Sequence, residues 1–167
     1  MPERRVRIAT LPRMRLACFE GEGNAAGAER TWEALEAWRL QVRPPLGRID
    51  IAALGWFEPR DGGASFIFRA GVPVRGDYDV PPPARAYVFP GARFAYIAID
   101  DASEYEDGLR TVLEYLQAEG IEAESGPVEA VRYHFNLDQR PADCGFLVEG
   151  EPEEVSSHER PLPIARE

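Results

Sequence analysis

The sequence contains no lysine, two cysteines and two histidines. Cys18 and Cys144 form no C-x-x-C pair and no ligand cluster, which excludes a disulfide framework and a cysteine-held metal. Both sit in apolar runs and read as small buried hydrophobes in a reducing compartment. No H-E-x-x-H, G-x-S-x-G or phosphate-binding glycine loop is present, so the familiar hydrolase and nucleotide-binding constellations are missing. No apolar run reaches the roughly 18 residues of a membrane span. The N-terminal stretch MPERRVRIATLPRMRLACFEGEG lacks the apolar core of a secretory signal, so a cytoplasmic location is expected. Positive charge is also scarce. The 19 basic residues, all arginine, face 29 acidic ones for a net charge of −10. That sign is wrong for a free-standing nucleic-acid binder, because phosphate neutralisation needs clustered basic residues. The exclusive use of arginine, with abundant Ala, Gly and Pro, reflects a GC-rich codon bias rather than a function.

What is present is enough apolar content, 44% of 167 residues, to bury one hydrophobic interior. It is also repetitive. At an offset of 78, Leu11-Pro12-Arg13-Met14-Arg15-Leu16-Ala17-Cys18-Phe19 falls on Phe89-Pro90-Gly91-Ala92-Arg93-Phe94-Ala95-Tyr96-Ile97. The same offset lays Thr31 to Trp38 on Leu109 to Leu116, Ala52 to Glu58 on Ala130 to Asn136, and Phe68 on Phe146. One extra residue brings Gly71 and Pro73 onto Gly150 and Pro152. A single offset held this far points to two copies of one supersecondary unit.

Each unit reads strand, helix, strand, strand. The first strands are Arg15 to Glu20 and Arg93 to Ile99. The helices are Ala26 to Leu40, with a Trp32-Leu35-Trp38 stripe, and Ser103 to Glu119, with a stripe of Leu109, Val112, Leu113 and Leu116. Ser103 followed by Glu106 reads as a capping box and Gly120 as a C-cap. The remaining strands are Ile49 to Glu58 with Ser65 to Val72, and Val128 to Asn136 with Cys144 to Glu149. Arg75 to Pro83 ends in three prolines and reads as a stiff, extended connection. The polar tail from Glu151 is expected to be extended or disordered.

The ordered series of Leu11-Pro12, Phe89-Pro90-Gly91-x-x-Phe94-Ala95, the helix ending in Trp38, Gly55-Trp56-Phe57-Glu58-Pro59 and Gly126-Pro127-Val128-Glu129 resembles the GyrI-like family, the AraC/BmrR effector-binding domain. The resemblance covers about residues 6 to 152. It implies an α+β fold made of a duplicated β-α-β-β unit. An antiparallel sheet would carry its helices on one face and a ligand groove between pseudo-twofold halves on the other. The implied organisation is one domain over 1–152, with repeats at about 6–74 and 86–152, followed by a polar tail at 153–167. Many family members carry Glu-x-Tyr in the strand after the second helix, where the glutamate contacts cationic drugs. Here that strand reads Glu129-Ala130-Val131-Arg132-Tyr133-His134-Phe135-Asn136. Depending on the alignment anchor, Arg132 or Val131 stands at the glutamate.

Strand alternation assigns faces. Val131, Tyr133 and Phe135 are expected to face the helices, with Arg132 and His134 toward the groove. Ala53, Gly55 and Phe57 are expected inward, with Leu54, Trp56 and Glu58 on the groove side. Trp56 and His134 take equivalent places in the repeat. Trp56, Arg132, His134, Tyr96, Phe68, Glu129 and Glu58 are therefore the candidate ligand-binding residues. No catalytic set is identified, and neither a metal nor a cofactor is expected. A cation beside a guanidinium meets a repulsion of roughly 4 kcal/mol at 4 Å in an effective dielectric of about 20. Arg132 thus predicts a preference for anionic or neutral planar ligands that stack on Trp56. Glu129, Glu58 and Glu20 are the carboxylates that would serve a cation instead.

The expected function is binding of a small aromatic or amphipathic effector or xenobiotic by a stand-alone domain without a DNA-binding segment, in a regulatory or protective role. Two alternatives use the same scaffold. One is a hydrolase of strained or ester-like toxic compounds; the other is an inhibitor of a DNA enzyme through protein contact. The expected partners are therefore a small molecule and, in the last case, a protein, with no direct nucleic-acid or membrane binding.

Overall fold

Two proline breaks shape both edges of the sheet. Pro12-Arg13 separates β1 (Arg7–Leu11) from β2 (Met14–Glu22), and Pro90-Gly91 separates β5 (Arg85–Phe89) from β6 (Ala92–Ile99). Proline cannot donate to a strand ladder, and Gly91 adopts a φ of 91° that glycine tolerates. Sequence alternation identified β2 and β6 but not β1 and β5. The computed structural model describes residues 5–47, 51–132 and 141–150. Tyr133, His134, Phe135, Asn136 and the tail from Glu151 lie outside the described residues.

The remaining elements are α1 (Ala25–Val42), β3 (Ala53–Arg60), β4 (Ser65–Pro73), α2 (Tyr105–Glu119), β7 (Ala123–Val131) and β8 (Ala142–Val148). The strands form one antiparallel sheet in the order β1-β6-β8-β7-β3-β4-β2-β5. The fold is α+β, with both helices on one face. Each half lends its first strand to the other: β1 pairs with β6, and β5 with β2.

The register is symmetric about the central β3–β7 pair, where Gly55 faces Glu129 and is flanked by Leu54↔Ala130 and Trp56↔Val128. Gly71 pairs with both Leu54 and Cys18, and Gly145 pairs with both Val128 and Tyr96. Leu54 therefore corresponds to Val128, Trp56 to Ala130 and Glu58 to Arg132. This corrects the equivalence of Trp56 with His134. The offset of 78 holds from β1 and β2 to β5 and β6, but it shortens for the last two strands of each half. The second unit starts its third strand early, at Ala123 rather than Val128.

Helix α1 begins at Asn24, whose Oδ1 accepts the Gly27 N–H at 2.7 Å. It buries Trp32, Leu35 and Trp38 against β2 and β4. The cap expected from Ser103 is instead made by Asp101. Its carboxylate accepts the Ser103 N–H at 2.6 Å and opens a short 3-10 turn ahead of α2. The hydrogen bonds from Ser103 hold the Asp101 carboxyl below its usual range. Gly120 closes α2 at a φ of 70°. Val112 and Leu116 are buried, whereas Leu113 is exposed. Gly108 takes the place beside the sheet, because a Cβ there would meet Cys144, Ile97 and Ile99 at 3.0–3.2 Å.

The Pro-rich connection is not a bare spacer. Tyr78 and Val80 pack on the α1 cluster, and Trp38 Nε1 donates to the Pro81 carbonyl at 3.2 Å. Both cysteines are buried and in no disulfide. Among the described residues, no helix is long and apolar enough to cross a membrane.

Candidate functional site on the face opposite the helices

The face away from the helices is apolar and curls onto itself. Trp56 on β3 lies 5.4 Å from the Phe89 ring and 5.7 Å from the Tyr87 ring, both on β5. Two strands, β4 and β2, separate β3 from β5. In a flat sheet three strand spacings would hold them about 14 Å apart. The curl brings Leu16, Cys18, Leu54, Trp56, Phe89, Phe94, Tyr96, Val128 and Ala130 into one buried cluster. Phe94 and Tyr96 stack at 5.2 Å on the second half.

The two halves end this face differently. In the first half, Arg69 on β4 donates from Nε to Glu58 at 3.0 Å and from Nη1 to Glu20 at 2.6 Å. Its guanidinium carbon stands 4.6 Å from the Tyr87 ring centroid. The Tyr87 hydroxyl donates to Glu58 at 3.4 Å, and Arg60 lies 3.4 Å from the same carboxylate. Burial would lower the pKa of Arg69, but Glu58 and Glu20 outweigh it and hold the guanidinium charged. Burial, reinforced by Glu58, raises Tyr87. In the second half, Arg132 is 4% exposed and Asp143 1%. Arg132 donates to the Ile99 carbonyl at 2.6 Å and to Asp100 at 3.3 Å, with Asp143 3.8 Å away.

Among the sequence candidates, Trp56, Tyr96, Glu58 and Arg132 stand on this face. Trp56 and Tyr96 are closed into the apolar cluster, at 3% and 4% exposure. Burial, with Asp143 nearby, pushes the Tyr96 hydroxyl up to about 12. Phe68 stands on the other face, packed 5.9 Å from Trp32 and 4.8 Å from Phe57. Glu129 also faces the helix side, between Gly55 and Cys144. His134 lies outside the described residues. The anion preference predicted from Arg132 loses its premise, because this guanidinium is enclosed by Asp143, Asp100 and the Ile99 carbonyl.

Sequence reasoning missed Arg69 and Tyr87. The first signal was available: Arg69 is the sole charge in the run from Phe66 to Val74, and alternation places it with Gly71 on the groove side. Tyr87 was missed because β5 itself was missed. An open recess of about 360 Å³ lies elsewhere, between the β3–β4 hairpin and the start of β7, with Phe66 and Ser125 in its lining. It includes none of the candidates. Among the described residues, no group of three or more His, Cys, Asp or Glu side chains is placed to hold a metal.

No family model and no curated protein matches the chain. Solved structures do. SAV2435 bound to tetraphenylphosphonium aligns over 87% of this chain and 94% of its own, at 12% identity and a TM-score of 0.61. The EcmrR C-terminal domain aligns over 87% and 98%, at 6% identity and a TM-score of 0.61. A hydrolase from Listeria innocua aligns over 89% and 94%, at 12% identity and a TM-score of 0.54. At these identities the likeness is one of fold, and the fold is the GyrI-like one.

Proposed function

We propose that this protein binds an amphipathic aromatic small molecule on the sheet face opposite the helices. The observation that carries the reading is the aromatic cluster of Trp56, Tyr87 and Phe89, bordered by the charged group of Glu20, Glu58 and Arg69. Apolar walls with a few convergent polar groups are the usual composition of small-molecule sites. Tyr87, on an edge strand and half-buried, is the ring that moves to let an aromatic group reach Trp56. The small-molecule complex formed by a protein of the same fold supports the reading. So does the state of the reactive groups in this cluster: both carboxylates are engaged by Arg69, and burial pushes the Cys18 thiol up to about 12, so none is poised as a base or nucleophile. Binding, rather than the hydrolase alternative, is what these groups suit.

On this reading the domain of residues 1–152 acts as a cytoplasmic sensor or sequestering protein for xenobiotics. Its halves are copies of one ancestral unit, a view supported by the register symmetry about Gly55 and Glu129. The test is tryptophan quenching with a panel of neutral and charged aromatics, checked by calorimetry. Trp32 and Trp38 pack on the helix face, so they serve as an internal reference. Saturable quenching that disappears in Trp56→Phe is expected. Binding that persists by calorimetry with no Trp56-dependent signal would move the site elsewhere.

A further inference from the structure

The charged border of the proposed site already holds a cation of its own. Two carboxylates and one aromatic face are what a delocalised organic cation needs, and all three are directed at the Arg69 guanidinium. Glu58 takes Nε, Glu20 takes Nη1 and the Tyr87 ring lies beneath the guanidinium carbon. The Arg69 side chain is 12% exposed, whereas Glu20 is 54% exposed, so the cluster opens to solvent through Glu20. The corresponding place in the second half is taken by Asp143, enclosed with Arg132. An open carboxylate–aromatic arrangement is therefore a property of the first half, and there it is filled.

We propose that Arg69 determines the specificity of the site. It is a tethered guanidinium that occupies the cation position, so the protein discriminates against organic monocations and accepts neutral or anionic aromatic ligands. The inference rests on the small-molecule reading above. An incoming cation must displace a group held by two charge-assisted hydrogen bonds and kept by its tether at high effective concentration. The alternative is to settle beside it against like charge. A neutral or anionic ring has neither requirement, because it can reach Trp56 past a displaced Tyr87 while Arg69 stays on Glu58 and Glu20.

The experiment is a calorimetric titration of the full chain with tetraphenylphosphonium, with tetraphenylborate as the probe of matched shape and opposite charge, and with 1-naphthol as a neutral probe. Tetraphenylborate is expected to bind the unmodified protein at least tenfold more tightly than tetraphenylphosphonium. Arg69→Met and Arg69→Gln should each raise tetraphenylphosphonium affinity at least tenfold, and adding Glu58→Gln should remove the gain. Arg69→Lys keeps the charge and should stay within threefold of the unmodified protein. If the two neutral variants do not fold, the Lys variant and the unmodified protein decide the matter by their preference between the two tetraphenyl ions. Equal binding of these ions by the unmodified protein, or folded neutral variants that bind the cation no better, would overturn the proposal. Where 1-naphthol still binds, that result removes the role of Arg69 and leaves the site standing. Failure of all three probes removes both.

Discussion

Glu58 and Arg132 occupy corresponding places on the two halves of the sheet and carry opposite charges. The partners across the neighbouring strand are exchanged in the same sense. Arg69 on β4 pairs with Glu58, and Asp143 on β8 pairs with Arg132. The two pairs differ in solvation. Glu58 is 27% exposed in its side chain, whereas Arg132 and Asp143 are at 5% and 1%. The pseudo-symmetric scaffold thus carries one solvent-facing polar group and one interior ion pair that ties the end of β6 to β7 and β8.

An interior pair is costly to break and cheap to replace as a unit. Asp143→Ala removes the buried counter-charge of the Arg132 guanidinium and leaves it only the exposed Asp100 carboxylate, and a loss of about 3 kcal/mol is expected. The double change Arg132→Met with Asp143→Leu is expected to recover most of it. Urea denaturation of Arg132→Met, Asp143→Leu and their double variant closes this cycle, with Asp143→Ala as the truncation control. A double variant as unstable as the sum of the singles would show that the pair is not the source of the cost.

Two buried groups predict the alkaline limit of stability. Burial raises Cys18 from 9.0 to about 12, and burial with Asp143 nearby raises Tyr96 from 10.0 to about 12. In both cases the folded protein holds its proton more tightly than the unfolded chain. Stability is therefore full below about pH 9 and is lost as pH climbs toward 12. The slope is no steeper than about 1.4 kcal/mol per pH unit for each group. Denaturant midpoints between pH 8 and 11 should fall along this course. Cys18→Ala should delay the onset, and Tyr96→Phe should flatten the part above pH 10.

The Asn24 cap is a local feature with a local test. Its side chain satisfies the Gly27 N–H, one of the orphan donors at the start of α1. Asn24→Ala is expected to lower stability by about 1 kcal/mol, while Asn24→Asp or Asn24→Ser should hold it near the unmodified value. Thermal melts of the three variants, ranked against the unmodified protein, check the order.

The sequence carried the α+β class, the helix-bearing face and the paired halves, because these follow from apolar periodicity that tertiary contacts reinforce. Trp32, Leu35 and Trp38 mark one face of a helix whatever packs against it. The alternation of Ala53, Leu54 and Trp56 likewise assigns strand faces without knowledge of neighbours. The strands β1 and β5 were not legible, because at five residues each they read as approaches to β2 and β6. Their exchange between halves is a topological fact with no local signal. The same holds for the enclosure of Arg132. A guanidinium beside alternating apolar residues reads as exposed unless the register reveals Asp143 across the ladder. The proximity of Tyr87 to Trp56 depends on sheet curl, which periodicity does not encode.

That curl supplies the final prediction. β5 is an edge strand, and edge strands open readily because one side of their ladder is unpaired. Its inward rings, Tyr87 and Phe89, are joined to Trp56 across two intervening strands. The corresponding edge on the other half, β1, has Ala130 in the place of Trp56, so no ring reaches across to it from that position. Trp56→Ala removes the ring contact as well as buried area, with an expected loss of about 3–5 kcal/mol. The loss should not be spread evenly. Amide exchange in Arg85 to Phe89 is expected to accelerate beyond the change in global stability, while Arg7 to Leu11 follows the global change alone. Trp56→Phe keeps an aromatic partner and should preserve most of the β5 protection. Hydrogen exchange followed by mass spectrometry on peptides spanning the two edges makes the comparison. Equal acceleration at both edges would mean that Trp56 acts as ordinary core and does not hold the sheet curled.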